Sequence, residues 1–407
     1  MTDADVAVVG AGLAGGSIAY ALASRGWRTV LFDRYALPRH KVCGEFLSPE
    51  SRASLDALGL RPLVESLDPA AMETARLVSA GGASLVLPLP GVAWGISRRA
   101  LDAAVLRAAL AREAEWRPGA LVISVRRHER GYRLEWRERE RCCAMDARAV
   151  IGAWGRHTVS GIAAAAAEAG APAGFHRAAG AVTATAAASR RAAGSRTGQG
   201  APGAFVGVSV HLTGIVPERS VELYFFHGGY AGLAPIEEGR YNLAALVDWR
   251  TFRDSGGTVR GVVETASRRN PALGRRLADG EPVPGTEAAV APVVISRRPV
   301  PWDAVPRLGD AAAVVPPLCG DGMAMALRSA ALCAPLADAF LRGAIPLDEW
   351  RRAYAEALLA EWRGPLRWGN RLQHLAAIPF GLDLAFRAGR VVPGLAQRLV
   401  RATRLID

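Results

Sequence analysis

Gly10, Gly12 and Gly15 have the spacing GxGxxG, within the stretch 4–16 that reads ADVAVVGAGLAGG. The first glycine of this spacing permits a tight turn, the second lets the backbone approach a phosphate, and the third lets a helix pack closely on a strand. The N-terminus of such a helix offers free N–H groups and a positive dipole to an anion. Asp33 follows about twenty residues later, where a carboxylate accepts hydrogen bonds from an adenosine ribose. The pattern therefore predicts a dinucleotide site.

The elements that must hold these residues occur in the required order. Asp5–Val9 is a short apolar run typical of a buried parallel strand. A helix with an apolar face then runs from the glycines toward Gly26, which can end it. Thr29–Phe32 is a second strand that closes on Asp33. Because strand, helix, strand and acid occur together, a glycine turn without a ligand is the weaker interpretation.

A second glycine-rich segment lies toward the other end of the chain. Gly309–Asp310 closes a predicted strand, and Gly320–Asp321–Gly322 precedes a predicted helix. A carboxylate at a strand end can hold a ribityl hydroxyl, and the positive end of a helix can stabilise the anionic reduced ring of a flavin. The alternative is ordinary packing of a strand, a turn and a helix.

Length and composition indicate a globular protein with a large core and two closely joined domains. The net charge is +12, but Lys41 is the only lysine and the arginines are spread along the 407 residues. No basic block is interleaved with aromatic residues, so nucleic acid is not expected as a partner. The five cysteines have no metal-ligand spacing, so no metal site is expected. Their odd number, without a predicted leader segment, favours reduced thiols and a cytoplasmic location.

No uninterrupted apolar run reaches about 18 residues, the length at which a membrane-spanning helix would be expected. The region 346–407 is helical, basic and amphipathic in pattern. It fits a helical cap on the core, a lid over an apolar pocket, or a peripheral contact with a membrane.

From Ala204 onwards the pattern changes to alternating strands, which is typical of an antiparallel sheet. This change predicts an α/β fold: a discontinuous Rossmann-like dinucleotide-binding domain, an antiparallel-sheet substrate domain and a C-terminal helical region. The Ala/Gly-rich stretch 161–203 predicts a helix and a mobile loop. The expected boundaries are 1–74, 96–170 and 296–345 for the dinucleotide-binding domain, 75–95 and 171–295 for the substrate domain, and 346–407 for the helical region.

Several ordered motifs carry a resemblance that covers nearly the whole chain. They are GAGLAGG at 10–16, KVCGE at 41–45, RRALD at 98–102 and GDAAAVVPPLCGDGMAMAL at 309–327. On these motifs the chain resembles the FAD-dependent oxidoreductases of the p-hydroxybenzoate hydroxylase superfamily. Within that superfamily it is similar to the geranylgeranyl reductase-like branch, which borders the flavin-dependent halogenases.

The resemblance implies that the dinucleotide is FAD and that NADPH or NADH is the electron donor. It leaves the oligomeric state open. The cofactor contacts that it implies are Gly10, Gly12, Gly15, Asp33, Arg34, Cys43, Gly44, Arg98, Asp310, Gly320, Gly322 and Met323.

Three departures from the family pattern narrow the expected chemistry. Ala153-Trp154-Gly155 stands where the family usually has an Asp-Gly pair linked to nicotinamide handling. The stretch 229–235, GYAGLAP, lacks the large aromatic residues of the prenyl reductase signature, so we expect a smaller or differently shaped lipophile than a geranylgeranyl chain. Because Lys41 is the only lysine, the catalytic lysine of the halogenases has no counterpart.

Four side chains are candidates for catalysis. The Cys43 thiol could protonate a substrate carbon, tune the flavin or simply pack against it. Glu45 could be an acid or a base, or merely an exposed loop carboxylate. His227 and Tyr230 follow a predicted substrate-domain strand, where they could donate a proton or anchor a substrate, or form a structural pair.

Three functions remain open at this point. The first is a monooxygenase that hydroxylates or epoxidises a lipophilic or aromatic molecule through a flavin C4a-peroxide. The second is a C=C reductase of the geranylgeranyl reductase type, with Cys43 as the proton source. The third is a non-catalytic, flavin-stabilised module that binds a lipid or a protein. The missing prenyl-reductase aromatics favour the first function, whereas the CGE sequence favours the second.

Overall fold

The computed structural model describes residues 2–156, 182–184 and 204–376. The helices are α1 (Leu13–Ala23), α2 (Ser51–Leu58), α3 (Arg61–Glu65), α4 (Arg98–Leu110), α5 (Trp249–Asp254), α6 (Val259–Arg269), α7 (Pro271–Arg276), α8 (Gly322–Leu341) and α9 (Leu347–Ala376). The strands are β1 (Ala4–Val9), β2 (Thr29–Asp33), β3 (Phe46–Leu47), β4 (Ala70–Val78), β5 (Ser84–Gly95), β6 (Glu115–Pro118), β7 (Ala120–His128), β8 (Gly131–Glu138), β9 (Arg141–Gly152), β10 (Val182–Ala184), β11 (Ala204–Thr213), β12 (Ser220–Phe226), β13 (Gly229–Pro235), β14 (Tyr241–Asp248), β15 (Glu281–Pro282) and β16 (Ala288–Val294).

The first sheet has six strands in the order β6-β2-β1-β9-β8-β7. Its central strand β1 is parallel to both β2 and β9, whereas β7, β8 and β9 form an antiparallel meander. The adjacent residues Val6 and Ala7 of β1 point to opposite faces of the sheet, and both are fully buried, as expected for a strand covered on both faces. The parallel register brings the carboxyl ends of β1 and β2 to the same edge, next to the start of α1.

Helix α1 packs against α4 on one side and against α8 on the other. Its sequence is rich in alanine and glycine, and nearly every residue is buried, so neighbouring helices can approach it closely. The α8 helix therefore covers the dinucleotide fingerprint although it comes about 300 residues later in the chain.

The second sheet has ten strands, with the path β10-β16-β11-β14-β13-β12-β4-β5-β3 and β15 beside β11. All its pairs are antiparallel except β12 with β4. In the register of β11 and β14, His211 lies opposite Asn242. Phe46 of strand β3 pairs with Gly95 of β5. The CGE loop, residues 43–45, directly precedes β3 and is therefore held at this sheet.

The predicted α/β fold is confirmed: a βαβ unit opens the chain, an antiparallel sheet follows, and helices end the described part. The helical pattern of 346–407 is realised in α9 as far as Ala376, and its remainder lies outside the described residues. The stretch 161–203 also lies outside them, apart from β10.

Among the described residues, α8 is the one helix whose length and apolar composition would suffice to cross a membrane. Arg328 and Asp338 interrupt its apolar sequence, so it contains no uninterrupted apolar run of about 18 residues. Half of its most apolar 18-residue stretch is buried inside the protein, where the helix packs on α1 and α2. Length and composition are shared by core helices of this kind, so they are weak evidence for a membrane span. Cellular location remains a prediction.

Candidate functional site

The turn between β1 and α1 is built so tightly that two of its glycines admit no side chain. A Cβ on Gly15 would lie 1.7 Å from the carbonyl oxygen of Gly10. Gly10 itself has φ +107° and faces the carbonyl oxygen of Ala153, which would be 2.3 Å from an added Cβ. Gly12 is the N-cap of α1, no side chain caps it, and the first turn holds no acidic residue. The free N–H groups at this helix end can therefore receive an anion.

Asp33 fixes the same turn from the end of β2. One carboxylate oxygen accepts a hydrogen bond from the Ala11 N–H at 2.9 Å, and the other accepts one from the Tyr35 N–H at 2.9 Å. The guanidinium of Arg34 stacks over the Tyr35 ring at 4.9 Å. Asp33 thus reaches the glycine turn, as a ribose-binding acid of a dinucleotide site must.

Two cations converge on the N-terminus of α1. A Cβ on Gly12 would lie 3.6 Å from the Lys41 Nζ and 3.7 Å from an Arg98 terminal nitrogen. Both cations share the buried carboxylate of Asp102, at 2.6 Å for Lys41 and 2.9 Å for Arg98. Burial opposes ionisation of Asp102, yet Arg98 and Lys41 together lower its pKa below the usual value. With two positive charges and one negative charge, this group keeps a surplus positive charge beside Gly12.

Arg98 was predicted as a cofactor contact, whereas Lys41 and Asp102 were not. The sequence did hold a signal for Lys41, because it is the single lysine in a chain that otherwise uses arginine. Asp102 lies one turn after Arg98 on α4, so the spacing of the pair was also visible.

The CGE loop lies next to this cation group. The Cys43 Sγ accepts a weak hydrogen bond from the Glu45 N–H at 3.4 Å, and the Cys43 carbonyl accepts one from the Asn242 side chain at 2.9 Å. Burial raises the pKa of the Cys43 thiol, although the nearby Arg98 opposes this. A thiol that stays protonated can donate a proton. Gly44 is exposed, with open space where a Cβ would stand.

Glu45 is buried, with only 2% of its surface exposed, so its interpretation as an exposed loop carboxylate is wrong. One carboxylate oxygen accepts the Arg98 backbone N–H at 2.7 Å, and the other lies 2.8 Å from the His211 Nε2. Its backbone has φ +54°, a left-handed conformation that a non-glycine residue rarely adopts. Burial raises the pKa of Glu45, while its hydrogen bond with His211 opposes this. Sequence analysis missed His211, which lies in β11.

The other two catalytic candidates lie elsewhere on the second sheet. Tyr230 is buried, and its hydroxyl donates to the Gln373 side chain at 3.4 Å. Burial raises the pKa of Tyr230 well above its usual value, so the hydroxyl stays protonated. His227 is exposed in the turn between β12 and β13, next to Asp248 at the far end of β14. Six residues of strand separate that end from Asn242, which is about 20 Å. The structure therefore does not bring His227 to the CGE loop.

The second glycine turn packs against the segment that follows the CGE loop. Gly320 has φ +74°, and a Cβ there would lie 3.2 Å from the Phe46 ring. Gly322 then begins α8. The side chain of Met323 is buried in the core that α8 shares with α1, so a contact with a cofactor would come from its backbone. Asp310 is partly exposed and pairs with Arg156 at 3.5 Å.

The chain matches a protein family described as an FAD binding domain over residues 3–347. The chain belongs to this FAD-binding family. The expectation from the motifs is thus confirmed at the level of the superfamily and of FAD itself, while its finer placement in the geranylgeranyl reductase-like branch stays a prediction.

Curated relatives match shorter stretches of this FAD-binding chain. The squalene epoxidase ERG1 of Gibberella zeae is 37% identical over 101 residues, which are 23% of this chain and 20% of that protein. The menaquinone reductase of Mycolicibacterium smegmatis is 33% identical over 129 residues, or 30% of this chain and 31% of that protein. The chain therefore matches less than a third of the length of either relative.

Solved structures confirm the fold over its whole length. The myxobacterial chondrochloren halogenase CndH superposes with a TM-score of 0.72, covering 99% of this chain and 91% of its own. The identity is 17%, so this similarity concerns the fold alone.

The residues present fit an FAD molecule. The pyrophosphate needs an uncapped helix N-terminus, a glycine that leaves room for it and surplus positive charge, and the group around Gly12 supplies all three. Lys41 and Arg98 would hold the phosphates, Asp33 would bind the adenosine ribose, and the turn before α8 would receive the ring end.

Proposed function

We propose that the chain is an FAD-dependent monooxygenase that inserts one oxygen atom of dioxygen into a lipophilic small molecule. The observation that carries this proposal is an apolar cluster between the second sheet and the segment leading to the second glycine turn. The cluster is formed by Leu77, Leu85, Phe205, Leu223, Phe225, Tyr230, Leu246, Val290, Val293, Val314 and Leu318.

This apolar cluster adjoins the turn that we propose receives the flavin ring. Val314 and Leu318 immediately precede Gly320 and α8, the elements proposed to receive the ring. The Phe225 and Tyr230 rings are tilted against each other with 6.1 Å between their centroids, and the Tyr230 hydroxyl donates to Gln373. An apolar surface of this kind would exclude water from a substrate bound against it.

The partial matches to squalene epoxidases agree with an apolar substrate, since their names describe oxygen transfer to squalene. Bound and reduced FAD would supply the activation of oxygen, with NADPH or NADH as the proposed donor. The protein would bind the cofactor through Lys41, Arg98 and the glycine turn. It would also exclude water from the substrate next to the flavin ring.

The test uses dioxygen labelled with heavy oxygen. FAD-loaded protein is supplied with NADPH or NADH and with squalene or simpler alkenes and phenols as probes, and products are analysed by mass spectrometry. One labelled oxygen atom in a product supports the monooxygenase. An anaerobic gain of two hydrogen atoms by a C=C bond, with no oxygen incorporated, contradicts it.

A reductase is the second candidate, and two observations favour it. The raised pKa of Cys43 keeps its thiol protonated in the CGE loop. One of the partially matching relatives is named a menaquinone reductase. In this alternative, which includes the geranylgeranyl reductase type, Cys43 would give a proton to a substrate carbon.

Cys43→Ser separates the two candidates. A serine hydroxyl keeps the size of the thiol but is a much weaker acid. A monooxygenase that uses Cys43 only for packing should retain its turnover within about 3-fold, whereas loss of a general acid costs about 100-fold or more. Steady-state turnover with equal FAD content is the measurement. Cys142→Ser is the matched control, since Cys142 is exposed on β9 of the first sheet.

A further inference from the structure

A buried carboxylate–imidazole pair adjoins the cofactor cradle and has no task in the chemistry proposed so far. Glu45 comes from the CGE loop and His211 from β11, and both are at least 95% buried. Their hydrogen bond of 2.8 Å joins the Glu45 carboxylate to the His211 Nε2. The other carboxylate oxygen of Glu45 is already taken by the backbone N–H of Arg98, the residue that points to Gly12.

The free nitrogen of His211 is the decisive detail. When Nε2–H donates to Glu45, Nδ1 is the unprotonated nitrogen. Within the described part of the chain, this Nδ1 is buried and has no hydrogen-bond partner. The oxygen of the Asn242 side chain, opposite His211 in the sheet register, is buried and unpartnered among the same residues. A proton on Nδ1 would make this nitrogen a donor, for which the Asn242 side-chain oxygen is the unpartnered acceptor on the neighbouring strand.

The groups that face the pair carry charges of both signs. Arg98 on α4 shares the Asp102 carboxylate with Lys41. Arg99 and Arg240 are further cations near His40, and the raised pKa of Cys43 keeps its thiol uncharged. Glu237, in the turn after β13, adds a negative charge. His40 packs edge-to-face on His211 with 5.0 Å between ring centroids, and burial together with His211 lowers the pKa of His40 to about 4. His40 is therefore neutral near pH 7 and does not repel a cation on His211.

We propose that the Glu45–His211 pair takes up one proton from solvent when the bound FAD is reduced. A hydride from the donor brings two electrons and one hydrogen nucleus to the cofactor, whose reduced ring carries a negative charge. The second proton comes from water and binds to the His211 Nδ1, which changes the net charge of the pair from −1 to 0. The added negative charge of the ring is thereby balanced inside the protein.

This proposal rests on bound FAD and not on the substrate, so it can fail independently of the proposed monooxygenase. The measurement is the midpoint potential of the bound flavin between about pH 7 and pH 8.5, where each proton per two electrons contributes about 30 mV per pH unit. We expect a slope of about two protons for the natural protein. His211→Gln keeps an N–H donor toward Glu45 but cannot be protonated, and it should reduce the slope to about one proton.

His128→Gln is the matched control, because His128 is exposed on β7 of the first sheet, and its slope should stay at about two protons. A slope of one proton in the natural protein overturns the proposal, as does a slope of two in His211→Gln. Where His211→Gln does not retain FAD, nitrogen NMR of the natural holoprotein gives the answer. The His211 imidazole should gain a proton on reduction, and an unchanged imidazole overturns the proposal.

Discussion

Gly12→Ala is expected to fold normally as apoprotein and to lose FAD affinity by about 100-fold or more, which corresponds to about 2.8 kcal/mol. A Cβ at Gly12 has only ordinary contacts in the folded chain, at 3.6 Å from Lys41 and 3.7 Å from Arg98. The backbone there has φ −71°, which alanine adopts without strain. The new methyl group would stand between the helix end and the two cations, in the space that the pyrophosphate needs. Thermal unfolding of the apoprotein and titration of flavin fluorescence measure the two effects separately.

Two further glycines serve as comparisons. Gly15→Ala places a Cβ 1.7 Å from a backbone oxygen, so it should damage the folded apoprotein itself. Gly364→Ala lies in helix α9, before Pro365 and with no other group within 4 Å of an added Cβ, and should leave FAD binding unchanged. If Gly12→Ala binds FAD as tightly as the natural protein, the phosphates do not lie between Gly12 and the cations.

Asp102→Asn is expected to destabilise the apoprotein by about 3 kcal/mol, because it leaves Lys41 and Arg98 buried without their shared counter-charge. FAD should rescue this variant, since its two phosphate charges would neutralise the same cations. The gain in Tm on adding FAD should therefore be larger for Asp102→Asn than for the natural protein. Calorimetry with and without FAD measures the difference.

The pH dependence of stability gives an independent check on Asp102. Its pKa is lowered in the folded chain, so its contribution is fully present above the unfolded value near 4 and is lost as the pH falls through the folded value. Asp102→Asn should lack this acid-dependent loss. Glu264→Gln is the matched control, because Glu264 pairs with Arg260 one helical turn away but is exposed, and its effect should stay below about 0.5 kcal/mol. Equal FAD rescue in both variants would contradict the cation–pyrophosphate contact.

The parts of the site that lie close together in sequence were predictable. The strand, glycine turn and helix at 4–23 are a local pattern, and the glycines before α8 are another. Arg98 belongs to a recognisable motif at the start of a helix. In each case the spacing fixes the geometry, because turns and helices have set dimensions.

The parts that depend on distant partners were not predictable. Glu45 reads as a polar loop residue, and only its pairing with His211, 166 residues later, makes it a buried one. The sequence analysis named His227 and not His211, and the two residues lie near opposite ends of the strands of the second sheet. Strand periodicity shows which face a residue occupies but not which neighbouring strands bring it to a loop. Such contacts arise from sheet topology, which one sequence does not display.

The parallel pairing of β4 with β12 has a consequence for the order in which the two sheets can fold during synthesis. Strand β4 ends at Val78, yet its partner β12 begins only at Ser220, and the helix that closes over α1 ends at Leu341. The strands of the first sheet are complete at Gly152, but the second sheet cannot close before its later strands, which end at Val294, leave the ribosome, so β4 and β5 wait with an unpaired edge. We expect that shortened chains ending before α8 cannot fold, and that production of this protein depends more on chaperones than its final stability would suggest.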